Sequence, residues 1–264
     1  MDKVNKTQVI PGKNLSVAWA EVFLRSISQS KELIPLFVMV TDLNNASDWE
    51  DMTIRRLLDD CLKKMGKQSC NTVANTIFPE SLWNPKADKE HLFERYLQIL
   101  PLIRKCPKNK YGIYFERLIK YDLNKDSAHK SYKPNQLDTI IEAYNSRKGV
   151  RRSILQTSIF DPKRDQSNRA YLSFPCLQHV TFAPYGDGHS MTVNGFYAMQ
   201  HLFERAYGNY LGLCRLGRFV AHELGLELIQ MNCMVGIGKL EVYNNHIKKL
   251  ADRIEKILVK IENK

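Results

Sequence analysis

The sequence predicts an α/β protein of the α+β type, a mixed β-sheet flanked by helices in a single domain. Stretches with helical apolar spacing and stretches with strand character intermix without the regular βαβ alternation of a Rossmann or barrel fold. The 264 residues, 44% of them hydrophobic, are enough for one sizeable core and leave little for a second. Two strand-like runs are joined by PYGDG at 184–188, whose Gly and Asp suit a hairpin turn.

Taken in order, 15–27 (LSVAWAEVFLRSI) has helical spacing and leads into 34–43 (IPLFVMVTDL), a packed apolar run that suits a buried strand. A helix and a strand are thus expected to fill residues 1–45, as part of the same domain as a core over 46–264. Asp48 is the expected N-cap of a helix over 49–65, which Gly66 ends. An irregular piece closing in FPESLWNP follows, then a helix over 87–105. The polar, turn-rich 120–134 reads as a surface loop, and Pro134 starts a helix near QLDTIIEAYN. Beyond Arg152 the pattern turns to strands: RSILQTSIF, a loop at 161–170, then LSFPCLQHVTF and HSMTVNGF, with Cys176 near the start of one of them. A helix over 207–224, a strand at ELIQMNCMVGIG and an amphipathic helix over 244–261 complete the order.

Composition excludes some classes. There is no apolar run of about 18 residues or more, as a membrane-spanning helix needs, and no segment resembles a signal peptide; the expectation is a soluble, cytoplasmic protein. The six cysteines show no CxxC pair of zinc spacing and do not make a disulfide scaffold, so reduced thiols and no metal site are expected. A net charge of +11 suits a nucleotide, nucleic acid or an acidic partner without choosing among them. No zinc-finger, RNP or basic-zipper pattern accompanies it.

Four motifs carry more. They are Glu80-Ser81-Leu82-Trp83; Lys110-Tyr111-Gly112 with the later run from Asn135 to Phe160 that contains Arg151-Arg152; Phe174-Pro175-Cys176; and Ala206-Tyr207-Gly208-Asn209 with Leu240 to His246. Their order and spacing resemble the thymidylate synthase and pyrimidine nucleotide hydroxymethylase superfamily over roughly residues 60 to 250. The resemblance implies a thymidylate synthase-like sheet whose two copies stack in a homodimer. Cys176 would be the nucleophile that adds to carbon 6 of a pyrimidine nucleotide, and Glu80 would handle protons. Arg151 and Arg152 would hold the phosphate of the neighbouring subunit's substrate, which guanidinium forks do well. Asn209 would read a uracil-like base edge, Tyr243 the sugar, and Tyr111 would belong to the substrate-binding Tyr-Gly element. Methylenetetrahydrofolate is the implied one-carbon donor. Such chemistry needs a soft nucleophile, because carbon 5 of a pyrimidine is unreactive until a thiolate adds next to it.

The pattern also departs from the family. Leu177 follows Cys176 where the family has His, and Glu241 stands where His-x-Tyr has its His. The family's Arg-Ser-x-x-Asp stretch falls near Phe196 to Met199 and has no counterpart, leaving Arg205 as a cation at a different place. The chain also stops about one helix after His246, without the family's long segment that closes over folate. That favours a hydroxymethylase-like reaction, which tolerates water, over reductive methylation. The alternative is a dimer that has lost turnover and senses a nucleotide or nucleic acid in a regulatory or defence role.

Overall fold

The computed structural model describes residues 7–29, 31–121, 133–146, 149–168 and 174–263. Nine α-helices and seven strands lie among them: β1 (Gln8–Gly12), α1 (Leu15–Ser28), β2 (Glu32–Leu33), β3 (Leu36–Val40), α2 (Met52–Lys64), α3 (Cys70–Ile77), α4 (Lys89–Ile103), α5 (Tyr114–Ile119), α6 (Gln136–Ser146), β4 (Gln156–Ser158), α7 (Pro162–Asp165), β5 (Leu177–Pro184), β6 (Ser190–His201), α8 (Ala206–Glu223), β7 (Glu227–Lys239) and α9 (Asn245–Glu262). None of these helices is long and apolar enough to cross a membrane.

All seven strands form one mixed sheet in the order β1-β3-β7-β6-β5-β4, with β2 also on β7. β1 runs parallel to β3 and β6 parallel to β7, while the β3–β7, β5–β6 and β4–β5 pairs are antiparallel. The predicted class therefore holds: a mixed sheet with helices in one domain. Helices α1 and α8 pack on one face of the sheet and α3 packs behind α8. Trp19, Phe23, Phe203 and Tyr207 fill the space between α1 and α8.

Local chemistry sets the ends of the elements. Asn14 caps α1 by accepting the Val17 N–H, and Asn244 caps α9 by accepting those of His246 and Ile247. Gly66 follows α2 at φ +67°, the left-handed conformation that glycine adopts without a Cβ clash.

Some expectations need correction. The domain opens on a strand, since β1 precedes α1 and pairs with β3. The cap of α2 is Asp51, whose carboxylate accepts the Thr53 and Ile54 N–H groups, whereas Asp48 lies in a short 3-10 turn. The irregular stretch before FPESLWNP holds α3, and Glu80 starts another 3-10 turn (Glu80–Leu82). The expected loop at 120–134 falls mostly on 122–132, outside the described residues, as does the end of the expected loop at 161–170.

Candidate functional site

Cys176 is half-buried and immediately precedes β5. Three contacts fix its backbone. Its N–H donates to the Tyr114 hydroxyl at 3.3 Å, and its carbonyl accepts the N–H of Ala198 in β6 at 3.1 Å. The Gln178 amide spans the start of the strand, donating to the carbonyls of Pro175 (2.8 Å) and Cys176 (3.3 Å). The register between β5 and β6 shifts between Leu177 and His179, a bulge of the kind that re-aims neighbouring side chains. Behind the strand start, Phe174 packs on the Tyr114 ring at 5.1 Å and under the Arg117 guanidinium at 5.3 Å.

Arg205 precedes α8 and is half-buried. Burial pushes the Cys176 thiol above its ordinary pKa of 9.0, and the positive charge of Arg205 pulls it back. Burial also keeps the Tyr114 hydroxyl protonated, raising its pKa above 10.0, with Cys176 adding to the shift. The positive end of the eighteen-residue α8 points to the same end of the sheet and favours negative charge there.

Asn209 is only 5% exposed, and its side-chain amide has no hydrogen-bond partner among the described residues. Its direction follows from the packing of α8. Leu213 covers Gly195 and Gly217 faces Val193, so one turn earlier the same helix face brings Asn209 over Tyr197, the next inward residue of β6. Tyr197 pairs with Leu177, next to Cys176, and its buried hydroxyl also lacks a partner. Glu241 closes this end of the sheet: its carboxylate accepts the N–H groups of Phe203 and Glu204, just before Arg205. Burial pushes that carboxyl up, against the pull of these N–H groups. Tyr243, two residues on, is 40% exposed and carries the ammonium groups of Lys31 and Lys248 at 5.0 and 5.5 Å from its ring.

Three of the sequence-derived positions, Glu80, Arg151 and Arg152, lie elsewhere in the fold. Glu80 is held by Arg215 Nε at 2.7 Å and Arg218 Nη2 at 2.6 Å. Arg215 is about 15 Å along α8 from Arg205 at 1.5 Å per residue, so Glu80 is tied down away from the thiol. Arg218 in turn lies between Trp49 and Trp83, at 5.3 and 5.1 Å, beside a cavity of about 380 Å³ that His222 also lines. Arg151 and Arg152 are exposed, and Arg152 donates to the Pro184 carbonyl beside a cavity of about 300 Å³. Pro184 ends β5, about 25 Å from Cys176 at roughly 3.3 Å per residue. Among the described residues, then, the cation that acts on the thiol is Arg205 and not Arg152.

Tyr111 is 42% exposed and does not touch Cys176; Tyr114, three residues later, does. Tyr111 still borders the site, because Gly112 packs so closely on Phe174 that a Cβ there would lie 2.6 Å from the ring. The structure therefore gathers Cys176, Asn209 and Tyr243 at one end of the sheet, with Tyr111 at its rim. It adds Tyr114 and Tyr197, which motif spacing did not assign, and it puts Arg205 and Glu241, noted above as departures from the motif, at the same end. A Tyr at the start of a short helix and an Arg before a long one are weak sequence signals.

No family model and no curated protein matches the chain.

Proposed function

We propose that the protein transfers a one-carbon group to carbon 5 of a pyrimidine nucleotide, with Cys176 as the nucleophile. The observation that carries this reading is the setting of one thiol: half-buried, under the field of Arg205, at the positive end of α8, with the unpartnered Asn209 amide one helical turn further on. An amide offers both a donor and an acceptor, which matches the N3–H and O4 edge of uracil. The Cys176 thiolate adds to carbon 6 and the ring electrons move onto the carbon 4 oxygen as an enolate. Carbon 5 then attacks the one-carbon electrophile and loses its proton, and elimination expels the thiolate. Arg205 favours the thiolate that starts this sequence.

Neither the cavity beside Arg218 nor the one beside Arg152 includes Cys176. No step is assigned to methylenetetrahydrofolate, and the donor is tested as folate or formaldehyde.

A homodimer that stacks through its sheets belongs to the same proposal. The sheet face opposite α1 and α8 exposes Phe196 and Met234 at 37% and 41%. Half-buried Phe37 pairs with Met234, and a polar ladder of Thr181, Asn194 and Asn232 crosses the face. Such a patch on a sheet is what a second copy would cover, and it would bring Arg151 and Arg152 of one subunit toward the other. A second reading, a dimer that binds a nucleotide or nucleic acid without turnover, is favoured by Glu80, whose carboxylate is occupied by two guanidiniums.

Tritium release from carbon 5 of labelled dUMP and dCMP tests the chemistry. Release that Cys176→Ser abolishes supports the enzyme. Binding of these nucleotides in a thermal-shift assay without release, with folate or with formaldehyde, transfers support to the second reading.

A further inference from the structure

Two exposed tyrosines lie toward this end of the sheet, one linked through Phe174 to the β5 side and one following β7, with one lysine ammonium over the first ring and two over the second. On one side Tyr111 carries Lys110 Nζ at 5.7 Å from its ring centroid, and Gly112 joins it to Phe174, two residues before the thiol. On the other side Tyr243 carries Lys31 and Lys248 Nζ at 5.0 and 5.5 Å from its ring centroid, two residues after Glu241, which is anchored beside Arg205. Basic residues extend both platforms. Lys105 and Lys108 are exposed next to Tyr111. On α9, Lys249, Arg253, Lys256 and Lys260 are exposed at helical spacing that puts them in one stripe, with the exposed Asp252 and Glu255 beside it.

We infer that the ligand of this end of the molecule is a single-stranded polynucleotide, whose backbone follows these cations and whose bases flanking the target stack on Tyr111 and Tyr243. The inference rests on the reading that Cys176 faces a pyrimidine, and it names the form in which that pyrimidine arrives. A free nucleotide has one phosphate group and one base; it needs neither a second aromatic platform nor a basic stripe about 16 Å long at 1.5 Å per residue. A strand uses both, because every base has a face to stack and every nucleotide a phosphate to neutralise. Attack at carbon 6 comes from above the ring, so the target base must be unstacked, which a single strand allows at little cost. The +11 charge of the whole chain then has a ligand of opposite sign.

Fluorescence anisotropy with a labelled single-stranded 12-mer containing deoxyuridine tests this, with dUMP as competitor. The protein should bind the 12-mer at least tenfold more tightly than dUMP. Tyr111→Ala with Tyr243→Ala should weaken the 12-mer about tenfold or more. Lys249→Glu with Arg253→Glu should lower the slope of log affinity against log salt by about 1.4 for a single strand. Equal affinity for 12-mer and dUMP, or binding that ignores both tyrosines, overturns the inference. Tritium release from dUMP without 12-mer binding removes the strand path and leaves the Cys176 chemistry standing. Tyrosine-dependent 12-mer binding without Cys176-dependent release from dUMP or from the 12-mer removes the chemistry and leaves the strand path.

Discussion

The Tyr114 hydroxyl accepts the backbone N–H of Cys176 at 3.3 Å, so the first residue of α5 positions the residue before β5. Tyr114→Phe leaves that N–H without its acceptor while keeping the ring against Phe174. A lost hydrogen bond of this kind costs about 1 kcal/mol. At this chain length the melting temperature should fall by roughly 2 to 4 °C, with the far-ultraviolet circular dichroism unchanged. A melting curve that coincides with that of the unaltered protein would show that the bond does not hold the strand start.

Arg205 sets the reactivity of the thiol. Burial raises the Cys176 pKa and Arg205 lowers it, so Arg205→Ala removes the lowering influence alone. The pH profile of Cys176 alkylation by iodoacetamide, read by peptide mass spectrometry, should move to higher pH in that variant. Arg205→Lys should return it toward the original position. Both profiles staying in place would remove Arg205 from the account of the site.

How much of this was legible in the sequence depended on whether the signal was local. The stretches of α9, β6 and β7 announced themselves because each buries a regular pattern of its own residues, and α8 did so as a long apolar helix that is buried nearly all round. Helix α3 did not: CNTVANTI is short and rich in β-branched and polar residues of modest helix propensity. Its stability comes from α8, where Gly208 and Gly212 let the two helices approach so closely that a Cβ at Gly208 would meet Val73 at 2.5 Å. β1 was hidden because Pro11 and Gly12 are poor strand formers, tolerated at the edge position it occupies. The site divides in the same way. Cys176 was visible through Pro-Cys, whereas the partners of Glu80 are arginines far along the chain and Tyr114 reaches Cys176 from another element. Such pairings are decided by tertiary packing and leave no trace in spacing.

A buried ion pair supports the strand start from below. Arg117 and Asp165 meet at 2.9 Å with side chains 9% and 5% exposed, and the same guanidinium lies over Phe174. Asp165→Ala strands a buried positive charge and should cost about 3 to 5 kcal/mol in urea unfolding. Arg117→Met with Asp165→Leu removes both charges and should cost much less. If the double variant is as unstable as the single one, charge pairing is not what the two residues supply, and their packing and hydrogen bonds to the Ile159 carbonyl and the Asp161 N–H carry the cost.

Stability should fall in alkali because the core holds its thiols neutral. Burial pushes Cys70, Cys214 and Cys233 above the ordinary 9.0, with the carboxylates of Asp59 acting on Cys70 and Glu50 on Cys214 adding to it. In the unfolded chain these groups ionise near pH 9, whereas in the fold they keep their protons to higher pH. The folded state therefore binds more protons above that pH, and unfolding free energy must decrease as pH rises. The contribution is complete below about pH 9 and is lost progressively as the pH climbs through the raised values. Urea midpoints under reducing conditions should be flat from pH 7.5 to 8.5 and drop from pH 9 upward. Cys233→Ala lowers stability at neutral pH by leaving a small cavity, yet its midpoint should fall less steeply in alkali, because one of the titrating thiols is gone. An alkaline slope identical to that of the unaltered protein would mean that Cys233 is not among the groups that set it.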